Sequence, residues 1–308
     1  MSAAARPLVV GIDLGGTKVR AGVAAMDGAL LHEVVEATRR GPGLLAQLAE
    51  LIGRMERTAG GRVVATAIGG AGVPDDDQGS FSLAPNLSGL DGVGLVGELE
   101  TRLGHRVVIE NDVNIAALGE LSDGVGRSEP SFAFVAVGTG IGVGLVLDGR
   151  LWSGAAGGAG EVGYLPIGAD PLDPANHRRG ALEERLAGDA LARRYAEAAG
   201  ETGPVSAHEV FDRAAAGDPA AVSALDEEAR WLAYALVSLE AVVDPGLFVL
   251  GGGIGGRVEL LAPLRAWLVR LGRASVRVRL STLGPSAPVL GAIRLAIDTA
   301  TRTEREAS

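Results

Sequence analysis

The sequence predicts an α/β protein built from two similar halves. Each half opens with three short apolar segments joined by tight turns, at residues 7–37 and 131–152, and continues with segments that carry apolar residues at helical spacing. Three-stranded meanders followed by alternating helices and strands are typical of sheets covered by helices. The repeated opening indicates a duplicated domain, and a cleft between two such domains is a common place for a ligand.

The elements of the first half follow from their residue patterns. Runs rich in Val, Ile and Ala predict strands at 7–13, 18–25, 29–37, 62–73 and 106–112. Apolar residues at spacings of three and four, followed by a glycine, predict helices at 43–60, 95–104 and 113–124.

The second half repeats this order with more helices. Strands are expected at 131–137, 141–148, 149–152, 246–253 and 275–281, and helices at 180–199, 206–216, 218–243, 258–271 and 290–301. We therefore expect a smaller N-terminal domain formed by residues 1–110 plus 291–308, and a larger C-terminal domain formed by residues 111–290.

The composition excludes several classes of protein. Hydrophobic residues make up 47% and charged residues 21% of the 308 residues, which is typical of soluble globular proteins. The absence of cysteine excludes disulfides and thiolate metal sites, and no apolar run reaches the roughly 18–20 residues of a membrane span. The net charge of −10, without a long basic run, argues against nucleic acid as a partner. We expect a cytoplasmic protein.

Glycine is the unusual component of this sequence. The chain has 47 glycines, and they cluster at residues 13–18, 67–74, 137–144, 152–163 and 250–256, where they follow or interrupt apolar runs. Strands that end in such turns can bring backbone amides close to a ligand, because glycine has no Cβ. The clusters therefore predict a site built largely from backbone amides.

Five motifs together resemble the ROK family of sugar kinases. They are GIDLGGTK (11–18), IENDVNIAALGE (109–120), VGTGIGVGLVLDGRLWSGAAGGAGEVGYLPI (137–167), GALEERLAG (180–188) and VLGGGIGG (249–256), and they stand in the family's order. The resemblance implies the actin-like ATPase/hexokinase (ribonuclease H-like) fold, with two α/β domains and an interdomain cleft. It also implies ATP and Mg²⁺ as cofactors, a sugar or sugar-like substrate, and a homodimer.

The turn after the first strand is the first expected phosphate site. Gly15 and Gly16 would expose backbone amides, Thr17 offers a hydroxyl and Lys18 a cation, while Asp13 could hold Mg²⁺, mostly through water. The spacing of a P-loop is absent, and a strand follows the turn instead of a helix. An ordinary hairpin is the alternative interpretation.

The second half carries the same device. A turn at 138–140 would face the ATP phosphates from the other side, and the glycines that follow the strand near residue 250 would allow close approach of the nucleoside. The expected contacts are Gly138, Thr139, Gly140, Gly251, Gly252 and Gly253. Polyphosphate-using sugar kinases, which have a similar fold and also lack the cysteines, leave polyphosphate open as a donor.

Asp112 is the expected catalytic residue. It follows an apolar strand and opens a helix, so it could simply be the helix N-cap. A carboxylate at this place could also accept the proton of an attacking sugar hydroxyl, and the resemblance assigns the catalytic base to it. The resemblance further assigns Asn111 and Asn86 to sugar hydroxyls.

Two glutamates complete the expected sugar site. Carboxylates accept hydrogen bonds from neighbouring hydroxyls, and Glu161 and Glu183 match the family's sugar-binding positions. Spacing alone leaves Glu184 as an equal competitor of Glu183.

The sequence departs from the family at its structural zinc site. The family's motif is Glu-x-Gly-His followed by Cys-x-Cys-Gly-x-x-Gly-Cys-x-Glu, and here Tyr164 replaces the histidine while Pro174, Asn176 and Ala181 replace the cysteines. Because all four ligands are missing, we expect no zinc site and a loop 168–180 held by other contacts. The family's histidine also touches the sugar, so Tyr164 should change recognition at that edge. This favours a modified hexose, such as an amino sugar, or a cyclitol over plain glucose.

Two other functions remain open from the sequence. An ordinary glucokinase without zinc is one alternative. A non-catalytic sugar-sensing regulator is another, since the family includes repressors. Those repressors carry an N-terminal winged helix, whereas Asp13 stands near the start of this chain, and the retained Asp112 and both turns favour a kinase.

Overall fold

The computed structural model describes residues 5–41, 43–75, 79–82 and 94–306. In chain order, its elements are β1 (Pro7–Leu14), β2 (Lys18–Ala25), β3 (Leu30–Ala37), α1 (Gly43–Ala59), β4 (Arg62–Gly70), β5 (Val73–Asp75), β6 (Ser80–Ser82), α2 (Leu95–Leu103), β7 (Arg106–Asn111), α3 (Asp112–Ser122), β8 (Phe132–Val137), β9 (Ile141–Leu147), β10 (Arg150–Leu151), α4 (Glu183–Leu186), α5 (Gly188–Ala199), α6 (Ala207–Ala215), α7 (Pro219–Val243), β11 (Phe248–Gly251), α8 (Leu261–Arg270), β12 (Val278–Leu280) and α9 (Ala287–Glu306). None of these helices is both long and apolar enough to cross a bilayer.

The contacts divide the chain into two compact units. The first unit consists of residues 1–127, 153–158 and 285–308, and the second of residues 128–152 and 159–284. The first sheet has the order β3-β2-β1-β4-β7, and the second has the order β10-β9-β8-β11-β12. In each sheet an antiparallel meander is extended by two parallel strands. The two units thus share one topology, which confirms the predicted α/β fold with a duplicated sheet.

The core of the first unit lies on both faces of its sheet. One face packs on α1 and α2 through an apolar cluster that includes Leu48, Leu51 and Ile68. The other face packs on α3 and α9, where Ile115, Val289 and Ile293 are buried. The contact-based units therefore place α3 with the first sheet, although the expected boundary at residue 110 separates them. Those expected domain limits remain a proposal about the fold.

Several element boundaries differ from the sequence prediction. The helix expected at 180–199 breaks at Ala187, which is extended (φ −82°, ψ 159°) and separates α4 from α5. This break allows the amide of Gly188 to donate to the carbonyl of Gly138 at 2.8 Å. The strand expected at 275–281 shrinks to three residues, and the last helix runs from residue 287 to 306. Strands β5 and β6 were not predicted.

Candidate active site

The structure places the predicted site residues in two groups, one in each unit. The first unit holds Asp13, Asn111, Asp112 and the turn at 15–18, and the second holds the turn at 138–140, Glu161, Tyr164, Glu183 and the glycines after β11. Asn86 lies outside the described residues.

Two hydrogen bonds from Thr38 hold the first turn, at residues 15–18, in place. The hydroxyl of Thr38 donates to the carbonyl of Gly15 at 2.6 Å, and its amide donates to the carbonyl of Thr17 at 3.0 Å. Gly15 in turn donates from its amide to the carbonyl of Lys18 at 3.0 Å. Thr17 and Lys18 are exposed, so the hydroxyl and the ammonium group face solvent on a rigid turn.

Asp13 and Asp112 lie close together at the carboxyl ends of parallel strands. Asp13 stands near the end of β1, and Asp112 directly follows β7, which joins β1 through β4. Burial, followed by the charge of Asp112, raises the pKa of Asp13 to about 6. Burial also raises the pKa of Asp112 above its ordinary value. Two carboxyls with raised pKa values at this edge of a sheet are typical of a functional site.

Asn111, and not Asp112, is the N-cap of α3. The side-chain oxygen of Asn111 accepts hydrogen bonds from the amides of Val113 at 2.9 Å and Asn114 at 3.2 Å. Its side-chain nitrogen donates to the carbonyl of Gly72 at 3.1 Å. The interpretation of Asp112 as a simple cap is therefore wrong. Most of the hydrogen-bonding capacity of the Asn111 side chain is therefore used within the protein.

Glu110 was missed by the sequence analysis, although it holds this junction in place. Its Oε1 accepts hydrogen bonds from the amide of Asn111 at 2.7 Å and the side chain of Asn114 at 2.9 Å. Its Oε2 accepts a hydrogen bond from the hydroxyl of Ser153 at 3.2 Å. The strand-to-helix connection that carries Asp112 is thus bonded on both sides. The four-residue spacing of Glu110 and Asn114 was the only signal in the sequence.

The second turn is held by the segment from Arg179 to Gly188. Gly188 donates from its amide to the carbonyl of Gly138, and Arg179 Nη2 donates to the carbonyl of Thr139 at 3.3 Å. The amide of Ile141 donates to Oε2 of Glu183 at 3.0 Å. Three separate bonds therefore fix this turn in one conformation.

Glu183 is distinguished from Glu184 by these contacts. The carboxylate of Glu183 accepts hydrogen bonds from Ile141 and from Nε of Arg179 at 2.9 Å. Glu184 lies 3.8 Å from the guanidinium groups of both Arg179 and Arg193. The segment that follows Glu161 passes directly beside Glu183, since a Cβ on Gly163 would lie 3.3 Å from that of Glu183. Glu161 itself is exposed.

A cavity of 710 Å³ opens within the second unit. Its lining consists of Gly138, Thr139, Arg179, Gly188, Asp189, Ala192, Val205, Ser206, Ala207, His208, Gly253 and Ile254. Gly252 adopts φ +81° beside it, where a side chain would strike the carbonyl of Val137. Apolar walls beside a glycine turn suit a nucleotide, whose base is apolar on its faces and whose phosphates accept from amides. Of these lining residues, only Gly138, Thr139 and Gly253 were predicted from the sequence.

The loop that lacks the zinc ligands is held by hydrogen bonds. Asn176, at one former cysteine position, donates from its side chain to the carbonyl of Asp170 at 2.8 Å. The hydroxyl of Tyr164, at the former histidine position, donates to the carbonyl of Arg178 at 3.1 Å. His177 Nε2 lies 3.1 Å from the carbonyl of Pro171. Among the described residues, no group of three or more His, Cys, Asp or Glu is arranged to hold a metal.

Comparison with known proteins gives matches over nearly the whole chain. The sequence model of the ROK family matches residues 9–299. A glucokinase of Streptomyces coelicolor is 32% identical over 94% of this chain and 97% of its own length. A ROK hexokinase structure from Thermus thermophilus is 37% identical, with a TM-score of 0.84 over 96% of this chain and 99% of that one. A ROK glucokinase structure from Streptomyces griseus, in complex with glucose and AMPPNP, is 30% identical, with a TM-score of 0.79 over 94% and 99%.

The Asp13→Asn variant should be more stable than the wild type at pH 8 when ligands are absent. Its pKa of about 6 lies above the ordinary value of 3.8, so the folded state binds this proton more tightly than the unfolded state and ionisation costs stability. Removing the charge should add about 3 kcal/mol to the free energy of unfolding at pH 8. The gain should shrink as the pH falls below 6 and vanish near pH 4. Urea unfolding titrations of the variant and the wild type at pH 8 and pH 4 measure this difference in stability.

Asp212→Asn is the control for this comparison, because the side chain of Asp212 is 73% exposed and should change stability little at either pH. An Asp13→Asn protein that is less stable than the wild type at pH 8 would contradict the raised pKa.

The Tyr164→Phe variant should loosen the loop at 168–180. The change removes the hydrogen bond to the carbonyl of Arg178, worth about 1 kcal/mol, in a loop that contains the exposed trypsin site at Arg178. Limited trypsin digestion should cut the variant faster there than the wild type. Tyr234→Phe is the matched control, since none of the described hydrogen bonds involves its hydroxyl.

The same protein preparations test the absence of zinc. Elemental analysis should find well under one zinc per chain, and chelators should leave both the digestion rate and the unfolding curve unchanged. Stoichiometric zinc, or equal digestion of Tyr164→Phe and wild type, would show that the loop is held in another way.

Proposed function

Because the chain belongs to the ROK family, we propose that this ATP-dependent carbohydrate kinase transfers the γ-phosphate of ATP to the primary hydroxyl of a hexose or hexose-like sugar. The observation that carries the proposal is the pair of half-buried carboxyls, Asp13 and Asp112, at the carboxyl ends of parallel strands. Asp112 is left available for chemistry because Asn111 caps the helix.

Asp112 acts as the general base. Its carboxylate accepts the proton of the attacking hydroxyl and orients that oxygen toward the γ-phosphate. A base works best when its pKa lies near the working pH, and burial moves the pKa of Asp112 in that direction. Glu110 and Asn111 keep the strand-to-helix connection rigid, which limits the positions the carboxylate can take.

Each turn offers the backbone amides that phosphate groups need, and Asp13 offers a carboxylate to Mg²⁺, which supports a metal-bound triphosphate as the donor. When bound, Mg²⁺ neutralises phosphate charge that would otherwise repel the nucleophile. Asp13 would hold its hydration shell, because Mg²⁺ keeps several of its waters. Protonation of Asp13 as the pH falls through about 6 would remove this function. Lys18 would add a positive charge near the phosphates, and Gly252 and Gly253 would leave room for the nucleoside. The phosphates would accept hydrogen bonds from the backbone amides and hydroxyls of the two turns, which are those of Gly15, Gly16, Thr17, Gly138, Thr139 and Gly140.

Glu161 and Glu183 would accept hydrogen bonds from hydroxyls of the sugar, and Asn111 and Asn86 would bind its other hydroxyls. Glu183 is already oriented by Arg179 and Ile141, so it would present its remaining lone pairs in a fixed direction. Tyr164 is half exposed, and its hydroxyl is committed to the loop. That edge therefore offers a larger, uncharged phenol ring where the family has a histidine, which supports a modified hexose or a cyclitol as the preferred substrate. The relatives named glucokinase support glucose as the second candidate.

The family also supports a homodimer and a cytoplasmic location, and both remain proposals.

The Asp112→Asn variant tests the chemical proposal. Asparagine keeps the shape of the side chain but cannot take the proton, so kcat should fall by at least about 10²-fold. ATP binding, measured by calorimetry, should change little. Asp123→Asn, at the other end of α3, is the control and should keep the full rate. A near-normal rate in Asp112→Asn would remove Asp112 as the base.

A substrate panel with ATP and Mg²⁺ tests the sugar. It should include glucose, mannose, amino and N-acetylated hexoses and cyclitols. We expect kcat/KM to be highest for a modified hexose or a cyclitol, because Tyr164 stands where the family has a histidine that touches the sugar. If glucose leads by tenfold or more, the protein is a glucokinase without zinc.

A further inference from the structure

Arg179 and Asp189 form an ion pair on the wall of the 710 Å³ cavity. Nη1 of Arg179 donates to Oδ2 of Asp189 at 2.7 Å, and Nη2 donates to Oδ1 at 2.9 Å. This bidentate arrangement fixes the direction of the carboxylate, and it also lowers the pKa of Asp189, which stays charged. Such a rigid carboxylate in a cavity is suited to accept a hydrogen bond from a hydroxyl.

Asp189 shares the lining of the cavity with the turn at 138–140 and with apolar residues. Arg179 also donates from Nη2 to the carbonyl of Thr139 in the turn. The lining also includes apolar side chains, among them Ala192, one turn further along α5, and Val205, beside the polar Ser206 and His208. A nucleotide with its phosphates at the turn and its base against the apolar wall would place its ribose beside Asp189.

The hydrogen bonds already made by Asp189 leave room for one more. Oδ1 accepts from Arg179 and from the amide of Ala190 at 3.0 Å, whereas Oδ2 accepts only the bond from Nη1 of Arg179 among the described residues. The side chain of Asp189 is 55% exposed, so a ligand in the cavity can reach Oδ2.

We propose that Asp189 accepts a hydrogen bond from a ribose hydroxyl of the phosphate donor and thereby selects ribonucleotides over deoxyribonucleotides and over donors without a ribose. Arg179 is the positioning residue of this contact. The proposal rests on the proposed kinase function, which it extends to the choice of donor.

The test compares ATP with 2′-deoxy-ATP and 3′-deoxy-ATP, using the sugar that ranks first in the panel. For the wild type, kcat/KM should be about tenfold or more lower with at least one deoxynucleotide, because a hydrogen bond to a charged acceptor is lost. Asp189→Asn should lose a similar factor with ATP but little with that deoxynucleotide, so the preference should disappear. Glu197→Gln, which removes an exposed charge from the same helix, should keep the wild-type preference.

Binding without turnover gives a second readout. Calorimetric Kd values for ADP and the matching deoxy-ADP should show the same pattern in the wild type and Asp189→Asn. Arg179→Lys keeps a positive charge but cannot hold both carboxylate oxygens, so it should reduce the preference only in part. This variant also keeps the proposal testable if Asp189→Asn folds poorly.

A wild type that treats ATP and both deoxynucleotides alike would overturn the proposal. It would also be overturned if Asp189→Asn weakened ATP and the deoxynucleotides by the same factor, since the ion pair would then be only structural. Failure of the kinase function itself looks different: the wild type would phosphorylate no sugar of the panel with any of the three nucleotides.

Discussion

The half-buried position of Asp13 and Asp112 is the constraint on which the first unit depends. Burial, and after it the charge of the neighbouring Asp112, disfavours the ionised form of Asp13, which is why its pKa rises to about 6. The fold must keep both carboxyls half-buried although their ionisation there is unfavourable, and hydrogen bonds to the backbone on either side of them do so. Thr38 fixes the turn beyond β1, while Glu110 and Asn111 fix the junction that begins α3. A bound cation would remove the repulsion, so the same arrangement favours a metal-bound phosphate.

The sequence was sufficient to predict what depends on backbone pattern. Both meanders, the parallel strands that extend them and the glycine turns follow from short-range patterns of apolar residues and glycine, and the structure has them in the predicted order. Duplication helped, because a signal that is weak in one half became convincing when it returned in the other. Asp13, the turn at 138–140 and Gly253 could be proposed as site residues in this way.

What the sequence could not predict depends on contacts between distant segments. Arg179 and Asp189 were not singled out from the sequence, since one falls in the loop expected at 168–180 and the other within the helix expected at 180–199. The structure breaks that helix at Ala187 and places both residues in the lining of the cavity. The exchange of roles between Asn111 and Asp112 had the same origin, since either residue could cap a helix and backbone angles decide which one does. Tyr164 was expected to change recognition of the sugar, but nothing in the sequence indicated that its hydroxyl donates to a carbonyl 14 residues further along the chain.

In the second unit, hydrogen bonds hold the loop in which the family's motif has its zinc ligands. Metal binding would have fixed the segment before Glu183 through four strong bonds, and here several weaker hydrogen bonds, among them those of Asn176 and Tyr164, act on the same segment. The position of Glu183, however, does not depend on that loop alone. Its carboxylate accepts hydrogen bonds from Ile141, which directly follows the turn at 138–140, and from Arg179. Arg179 also donates a hydrogen bond to Asp189. Because these bonds join Glu183, the proposed sugar carboxylate, to the strand after the turn at 138–140, they hold the proposed binding groups without any contribution from zinc ligands.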